Sequence, residues 1–345
     1  MSTAVILGAG ASKGAWVAER VTPPLDAEFL AVAKSLPTFQ KRPGSRALRT
    51  HYSVWSKFND FLEKAGLAYE EVENWRLEQL STFLEARATL RGLQLEQGRP
   101  VEFRAALEKL KGVVSSVLVQ AGGGSSCRLH RRLFEVVDTS GVVSFNYDLI
   151  VDQTLAELGW LKWDAPAYRG ASRMRAPKPG KRRIELIDVP RFGGKRHVPL
   201  FKIHGSINWE RHSEQEHGHR LAGIVPTGLL ERCLAAHFQP KVPLIIPPVA
   251  AKVEVPEELG TVWKGALRML NCARRWIFWG YSFPQTDTIS QVLFRSALNG
   301  KTNKPVVVIN PDHAVVQRVK SVCRRVDISY FPSVERFLLE ETRRQ

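Results

Sequence analysis

Residues 4–14 read AVILGAGASKG, a short apolar run that ends in glycine. Such a run predicts a buried parallel strand entering a tight turn. Gly8 and Gly10 would let the backbone approach a pyrophosphate, with Ala9, Ala11 and Ser12 completing the turn and a following helix N-terminus supplying unpaired N–H donors. The same glycines also fit a purely structural strand-to-helix turn. An acidic residue about 20 positions further on, where a dehydrogenase holds its ribose, is not evident, which disfavours an ordinary dehydrogenase.

Outward from this turn, strand-like runs occur at VVSFNYD (142–148), PLFKIHGSINW (199–209), VPLIIPP (242–248), RRWIFWGYSFP (274–284) and KPVVVINPD (304–312). Helical patterns lie at 257–273, 286–299 and 313–324. Alternating strands and helices predict an α/β fold, a Rossmann-like doubly wound and mostly parallel sheet, in a single domain over 1–345. Helical periodicity fills about 46–138, with Leu77, Leu80, Phe83 and Leu84 on one face and Phe103, Leu107 and Leu110 on another. This stretch is expected to be a helical insert, with a turn at AGGGSS (121–126). Residues of about 165–198, rich in Pro, Gly, Arg and Lys, are expected to form a long basic loop or a poorly packed hairpin.

Apolar residues make up 44% and charged residues 24% of the 345, which argues against disorder. No run approaches the roughly 18 apolar residues of a membrane span, and MSTAVILGAG has no charged segment ahead of a cleavage site. A soluble, cytoplasmic protein is expected, without a membrane partner. Cys127, Cys233, Cys272 and Cys323 form no CxxC pair or His/Cys cluster, so reduced thiols and no zinc are expected. His212, His217 and His219 lie in a polar segment that nothing completes as a metal site. The net charge of +16 suits nucleic acid, an acidic partner or an anionic substrate alike. Ten arginines and lysines between Arg169 and Arg196 are opposed only by Glu185 and Asp188. They read equally as a solvated loop or as a docking strip for nucleic acid or an acidic partner.

Four further motifs close strands. Ser144-Phe145-Asn146-Tyr147-Asp148 presents an amide and a carboxylate at a strand end, able to hold ribose hydroxyls and a carboxamide; helix capping explains the same residues. Lys202-Ile203-His204-Gly205-Ser206 puts a histidine where a general base could face the same crevice, or where a core histidine could sit with its hydrogen bond satisfied. Gly280-Tyr281-Ser282-Phe283-Pro284, with Asp287, offers a phosphate or ribose a backbone donor, a hydroxyl and a carboxylate. Asn310 and Asp312 could hold an adenosine ribose. Turns and caps account for each of the last two motifs taken singly.

In this order the motifs resemble the sirtuin-like domain family, especially its divergent bacterial branch found in antiphage defence. The resemblance covers residues 3–15 and 140–312, and GAGAS, SFNYD, KIHGS and GYSFPQTD carry it. It implies that Gly8, Gly10 and Ser12 line NAD, that Asn146 orders the nicotinamide ribose and the attacking water, and that Asp148 contacts the carboxamide. It further implies His204 as general base, with Ser282 and Asn310 on the adenosine half. Phe145 stands where sirtuin deacetylases have glutamine, their four-cysteine zinc module is missing, and helices replace the cofactor-covering subdomain. No acyl-lysine tunnel or peptide-docking edge is identifiable. The resemblance therefore implies an NAD hydrolase, an effector of antiphage defence by NAD depletion (abortive infection), working as an oligomer with a separate sensor or activator protein. ADP-ribosyl transfer, deacylation, or non-catalytic binding of NAD or ADP-ribose as a regulatory module are the alternatives.

Overall fold

The computed structural model describes residues 2–14, 23–40, 46–92, 100–122, 127–160, 172–175, 185–187, 197–211, 221–224, 243–249, 255, 259–298 and 303–344. Its strands are β1 (Thr3–Leu7), β2 (Thr139–Ser144), β3 (Ser172–Arg175), β4 (Glu185–Ile187), β5 (Leu200–Lys202), β6 (Gly205–Arg211), β7 (Leu221–Ile224), β8 (Pro243–Ile245), β9 (Arg275–Trp279), β10 (Lys304–Ile309) and β11 (Val326–Phe331). Six of them form one all-parallel sheet in the order β11-β10-β9-β1-β2-β5. From β1 the chain steps outward through β2 to β5, then returns to the other side of β1 and steps outward again from β9 to β11. That is the 3-2-1-4-5-6 order of dinucleotide-binding folds, with its direction reversing between β1 and β9.

Every residue of β1 is buried, as are all but the first of β9, because helices cover both faces of the sheet. The helix Ala314–Val322 shows how: Val315, Val316, Val319 and Val322 recur at helical spacing and all turn into the core. β11 lies at the edge and alternates between partly buried and exposed residues. Neither β11 nor the helix Val334–Arg343 after it was among the elements expected from sequence.

The chain between β1 and β2 serves two cores. Helices Phe29–Ser35, Arg46–Lys64, Leu77–Gly92 and Pro100–Gly122 pack on one another through Leu30, Phe58, Leu62, Leu80, Phe103 and Leu110. Leu149, Ile207 and Ile245 join this helical core from the α/β side. The helix Arg128–Val136 instead buries Leu133 and Phe134 in the core of the parallel sheet. Residues 123–126 of the expected AGGGSS turn lie outside the described residues.

A second sheet, in the order β4-β3-β7-β6-β8, was not anticipated. The run 199–209, expected to be one strand, is two: β5 ends the parallel sheet, and β6 pairs antiparallel with β7 and β8. Gly205, at φ +82, makes the break; a methyl group there would lie 2.1 Å from the Leu244 carbonyl oxygen. The run 242–248 likewise contributes β8 to this second sheet rather than to the parallel one. Within the basic stretch, β3 and β4 pair antiparallel; most of that stretch lies outside the described residues, as do His212, His217, His219 and Cys233 further on. Among the described residues no helix is long and apolar enough to cross a membrane.

His130, in the helix Arg128–Val136, is fully buried, 4.4 Å from the Trp279 ring, and neither ring nitrogen has a hydrogen-bond partner among the described residues. Burial depresses its pKa to about 3, and that of buried His51 to about 4, from an ordinary 6.5. Between those values and 6.5 the unfolded chain binds more protons than the folded one, so stability falls as pH drops below 6.5. His130→Leu is expected to raise stability at pH 7 by about 1 kcal/mol, by removing buried unsatisfied nitrogens, and to flatten the loss between pH 6.5 and 4. Denaturant unfolding at several pH values checks this; an unchanged slope in the variant would count against it.

Candidate active site

The register of the parallel sheet sets the site. Leu7 is level with Ser144 and Trp279, Ser144 with Lys202, and Trp279 with Ile309. Five motifs therefore leave the sheet side by side at its carboxyl edge, beginning at Gly8, Phe145, Ile203, Gly280 and Asn310. This is the edge where ligands bind on open α/β sheets.

The glycine turn is packed against the exit of β9. The Gly8 N–H donates to the Trp279 carbonyl at 3.0 Å, and the Gly10 N–H to the Gly280 carbonyl at 3.0 Å. A methyl group at Gly8 would meet the Gly280 oxygen at 2.5 Å, and one at Gly280, whose φ is +65, would meet the Ala11 nitrogen at 2.0 Å. The glycines thus permit two backbones to touch across the switch point. Phe283, at φ +52 in the same loop, is held left-handed while its ring is buried. That conformation costs a non-glycine residue about 1–2 kcal/mol.

Asn146 bridges the turn from β2. Its Nδ2 donates to the Gly8 carbonyl oxygen and to Ser12 Oγ, both at 2.9 Å. A carbonyl can only accept, so the amide nitrogen must face the turn, and Oδ1 is left as the acceptor Asn146 can offer a ligand. Ser12 Oγ in turn donates to Asp148 Oδ2 at 2.6 Å, while Asp148 Oδ1 accepts from the Ile150 N–H at 3.1 Å. Both Asp148 oxygens are engaged beneath the turn and the residue is buried. Burial raises its pKa, opposed first by the nearby Lys202 ammonium.

His204 leaves β5 just before Gly205, anchored by its carbonyl, which accepts from the Ile246 N–H at 2.8 Å. Its Nε2 lies 3.4 Å from Asp287 Oδ2. Asp287 is fixed by Tyr281 OH, donating at 3.2 Å, and by Ser290 Oγ, donating at 2.7 Å. Burial and the Asp287 charge hold the Tyr281 phenol far above its usual range, so it stays a donor. Asp287, expected on the phosphate or ribose, therefore stands beside the histidine. Phe145 stacks on Tyr281 at 3.9 Å and meets the His204 ring edge-on at 5.2 Å. This aromatic wall holds the imidazole plane, a role that sequence reading did not assign to Phe145.

Of the expected site residues, Gly8, Gly10, Ser12, Asn146, Asp148 and Gly280 form one hydrogen-bonded cluster at the turn, and His204 and Asp287 stand together as a pair 3.4 Å apart. Ser206 is buried and donates to Asn208 Oδ1 at 2.6 Å. Ser282 is exposed. Asn310 accepts from the Asp312 N–H at 2.9 Å, and exposed Asp312 accepts from the Ala314 N–H and from Arg318, which keep its carboxyl below the usual range. These two residues close a turn and cap a helix at the far strand of the crevice. Among the described residues no three His, Cys, Asp or Glu side chains converge as they would on a metal ion.

The sequence matches no protein-family model and no curated protein. Among solved structures the fold is similar to a Sir2 homologue in complex with NAD, at 15% identity and TM-score 0.41, covering 99% of this chain and 88% of that one. It is similar also to a mutant Sir2 homologue with 2'-O-acetyl-ADP-ribose, at 14% identity and TM-score 0.42, covering 99% and 91%. A Sir2 structure with a p53 peptide and NAD aligns at 12% identity and TM-score 0.34, covering 99% and 92%. Likeness at this level carries no argument about family or chemistry.

Proposed function

We propose that the crevice binds NAD and hydrolyses its bond between nicotinamide and ribose. The observation that supports this reading most is that the His204–Asp287 pair and Asn146, its Nδ2 engaged by the glycine turn and its Oδ1 left as acceptor, follow neighbouring strand ends at the carboxyl edge of the parallel sheet. Nicotinamide leaves a cationic centre as a neutral base, so no acid is needed to protonate it. The ribose carbon becomes oxocarbenium-like, water attacks it, and the proton lost by water passes to His204. Asn146 Oδ1 accepts from a ribose hydroxyl or from that water, and Asp287 stabilises the imidazolium that forms. Positioning and electrostatics are all that this scheme asks of the protein.

The same arrangement would serve ADP-ribosyl transfer with a different nucleophile, and deacylation would need a peptide groove as well. The physiological role proposed is NAD depletion in antiphage defence, in the cytoplasm, with a separate sensor or activator protein releasing the enzyme. The resemblance in the strand-end motifs supports that role. Cellular NAD that falls only after infection, and not in an Asn146→Ala strain, is the result expected of it; NAD constant across a range of phages, with active enzyme present, would remove it.

Purified protein incubated with NAD should release nicotinamide and free ADP-ribose in equal amounts. Asp287→Asn should lower kcat by about 10-fold to 100-fold with a smaller change in KM, because the carboxylate acts on the charge that develops on His204. ADP-ribose found attached to protein or nucleic acid would make the enzyme a transferase. NAD binding by calorimetry without any nicotinamide release would leave only a binding module.

A further inference from the structure

A charge interrupts the apolar strand β5 at its last residue. Lys202 is completely buried, and its ammonium has three acceptors: Asp152 Oδ2 at 3.0 Å, the Tyr147 carbonyl oxygen at 3.4 Å and the Asp148 carbonyl oxygen. An ammonium has three hydrogens, so this environment saturates it. A buried ion pair is a weak source of stability, since replacing it with apolar residues is often neutral or favourable. Its placement is what stands out. The carbonyls it holds belong to the residues directly after Asn146, and the Asp148 side chain begins the chain of hydrogen bonds that ends on Asn146.

We infer that Lys202 is a positioning residue: through Asp148 and Ser12 it secures the second of the two acceptors, beside the Gly8 carbonyl, that hold the Asn146 amide with Oδ1 toward the ligand. An ionised Asp148 can only accept. Ser12 must then donate to it and accept from Asn146, so the chain Asn146 → Ser12 → Asp148 runs one way and agrees with the Gly8 carbonyl in turning Oδ1 outward. Were Asp148 protonated, it could donate to Ser12, whose hydroxyl could then donate to Asn146 Oδ1, against the orientation that the Gly8 carbonyl holds. The groups facing Asp148 are Lys202, Asp152, Ser12, the Cys127 thiol and the Ile150 N–H. Lys202 is the only cation among these, and it works against the burial that favours the neutral acid.

Buried lysines are not all of this kind. Lys304, at the opposite end of the sheet, donates to the Leu270 and Ala273 carbonyls at 3.1 and 2.6 Å and lies 4.6 Å from the Trp276 ring. It secures the end of the helix Gly260–Cys272.

The inference depends on the proposed hydrolysis only for its effect on turnover; the Asn146 side-chain amide reports on it directly. In full-length protein isotope-labelled at asparagine nitrogen, that NH2 pair should exchange slowly with solvent and its shift should follow Asp148 ionisation. Lys202→Met should speed the exchange by about tenfold or more and raise the midpoint of that titration by about one pH unit or more. Ser12→Ala should speed the exchange without touching a buried charge. Lys202→Met/Asp152→Leu, which removes the ion pair whole, should recover thermal stability while exchange stays fast and kcat stays low. Lys304→Met should lower stability and leave the Asn146 signals unchanged.

Unchanged exchange in the Lys202 variants, or in Ser12→Ala, would overturn the inference. So would a double variant that regains nicotinamide release together with its melting temperature, since Lys202 would then be purely structural. Should Lys202→Met fail to fold, the double variant and Ser12→Ala decide. Should the wild type release no nicotinamide, the proposed hydrolysis fails, while the exchange measurement still tests the positioning.

Discussion

His204→Ala and Asn146→Ala are each expected to lower kcat for nicotinamide release from NAD by at least about 10²-fold, with little change in KM. Removing a general base costs about 10²–10⁴-fold, and removing one preorganised polar group that faces developing charge costs about 10²–10³-fold. The two variants differ in their structural cost. His204→Ala leaves Asp287 held by Tyr281 and Ser290, whereas Asn146→Ala takes the amide donor from Ser12 and leaves the Gly8 carbonyl with the Ala11 N–H. Asn146→Asp is the sharper probe. It keeps the shape and an outward oxygen, but turns a second oxygen against the Gly8 carbonyl, acceptor to acceptor, so it should be as inactive as alanine. Near-wild-type turnover in either alanine variant, at unchanged stability, would remove that residue from the mechanism.

Gly280→Ala is expected to cause the largest loss of stability of any single methyl group in the crevice. The residue sits at φ +65, which costs a side chain about 1–2 kcal/mol. The added carbon would lie 2.0 Å from the Ala11 nitrogen and 2.4 Å from the Gly10 carbonyl carbon, which are backbone atoms that cannot swing aside. Relief requires β9 and the β1 turn to separate, at the centre of the sheet. A total of about 4 kcal/mol or more, in the range of the most disruptive substitutions, should appear as a lower denaturant midpoint or as insoluble protein. Gly14→Ala is the matching control, because among the described residues nothing lies within 4 Å of its new methyl group. That variant should be neutral or stabilising by up to about 1 kcal/mol. Equal midpoints for the two variants would contradict the close approach.

The elements legible from sequence were those whose signal is local. AVILG, VVSFN, WIFW and VVVIN are continuous apolar runs because their strands are covered on both faces, and the parallel sheet follows from them. β11 has the weaker signal of an edge strand, VDISYF, with alternating exposure, and was passed over. The split at His204–Gly205 was hidden because the apolar run continues across it, from Leu200 to Trp209; only the glycine hinted that the chain turns there. Asn146 and His204 were recognisable as polar residues ending apolar strands. Their surroundings were not. Asp287 is 83 residues from His204, and the chain from Asn146 through Ser12 to Asp148 spans some 130 residues, so only the register of the sheet brings them together. Lys202 did leave a local trace, a lysine in an otherwise apolar PLFKI, but that trace does not say which acceptors it meets.

The placement of β1 also has a consequence in time. It is the strand on which both halves of the sheet are built, yet its neighbours begin at Thr139 and Arg275. At about 5–20 residues per second, a ribosome adds β9 roughly 15–55 s after β1. For that interval a strand apolar in all but Thr3 has one long edge with no partner, and the glycine turn has no Gly280 to rest on. Pairings this distant in sequence form slowly, after local helices have settled. The helices of 46–122 are complete well before then and pack largely on each other. Newly made chain would thus pass through a stage with a folded helical body and an unfinished sheet, the stage at which chaperones would engage it and at which aggregation would begin. The carboxyl edge with its five strand ends is complete only when the last third of the chain arrives, so no shorter nascent product carries it.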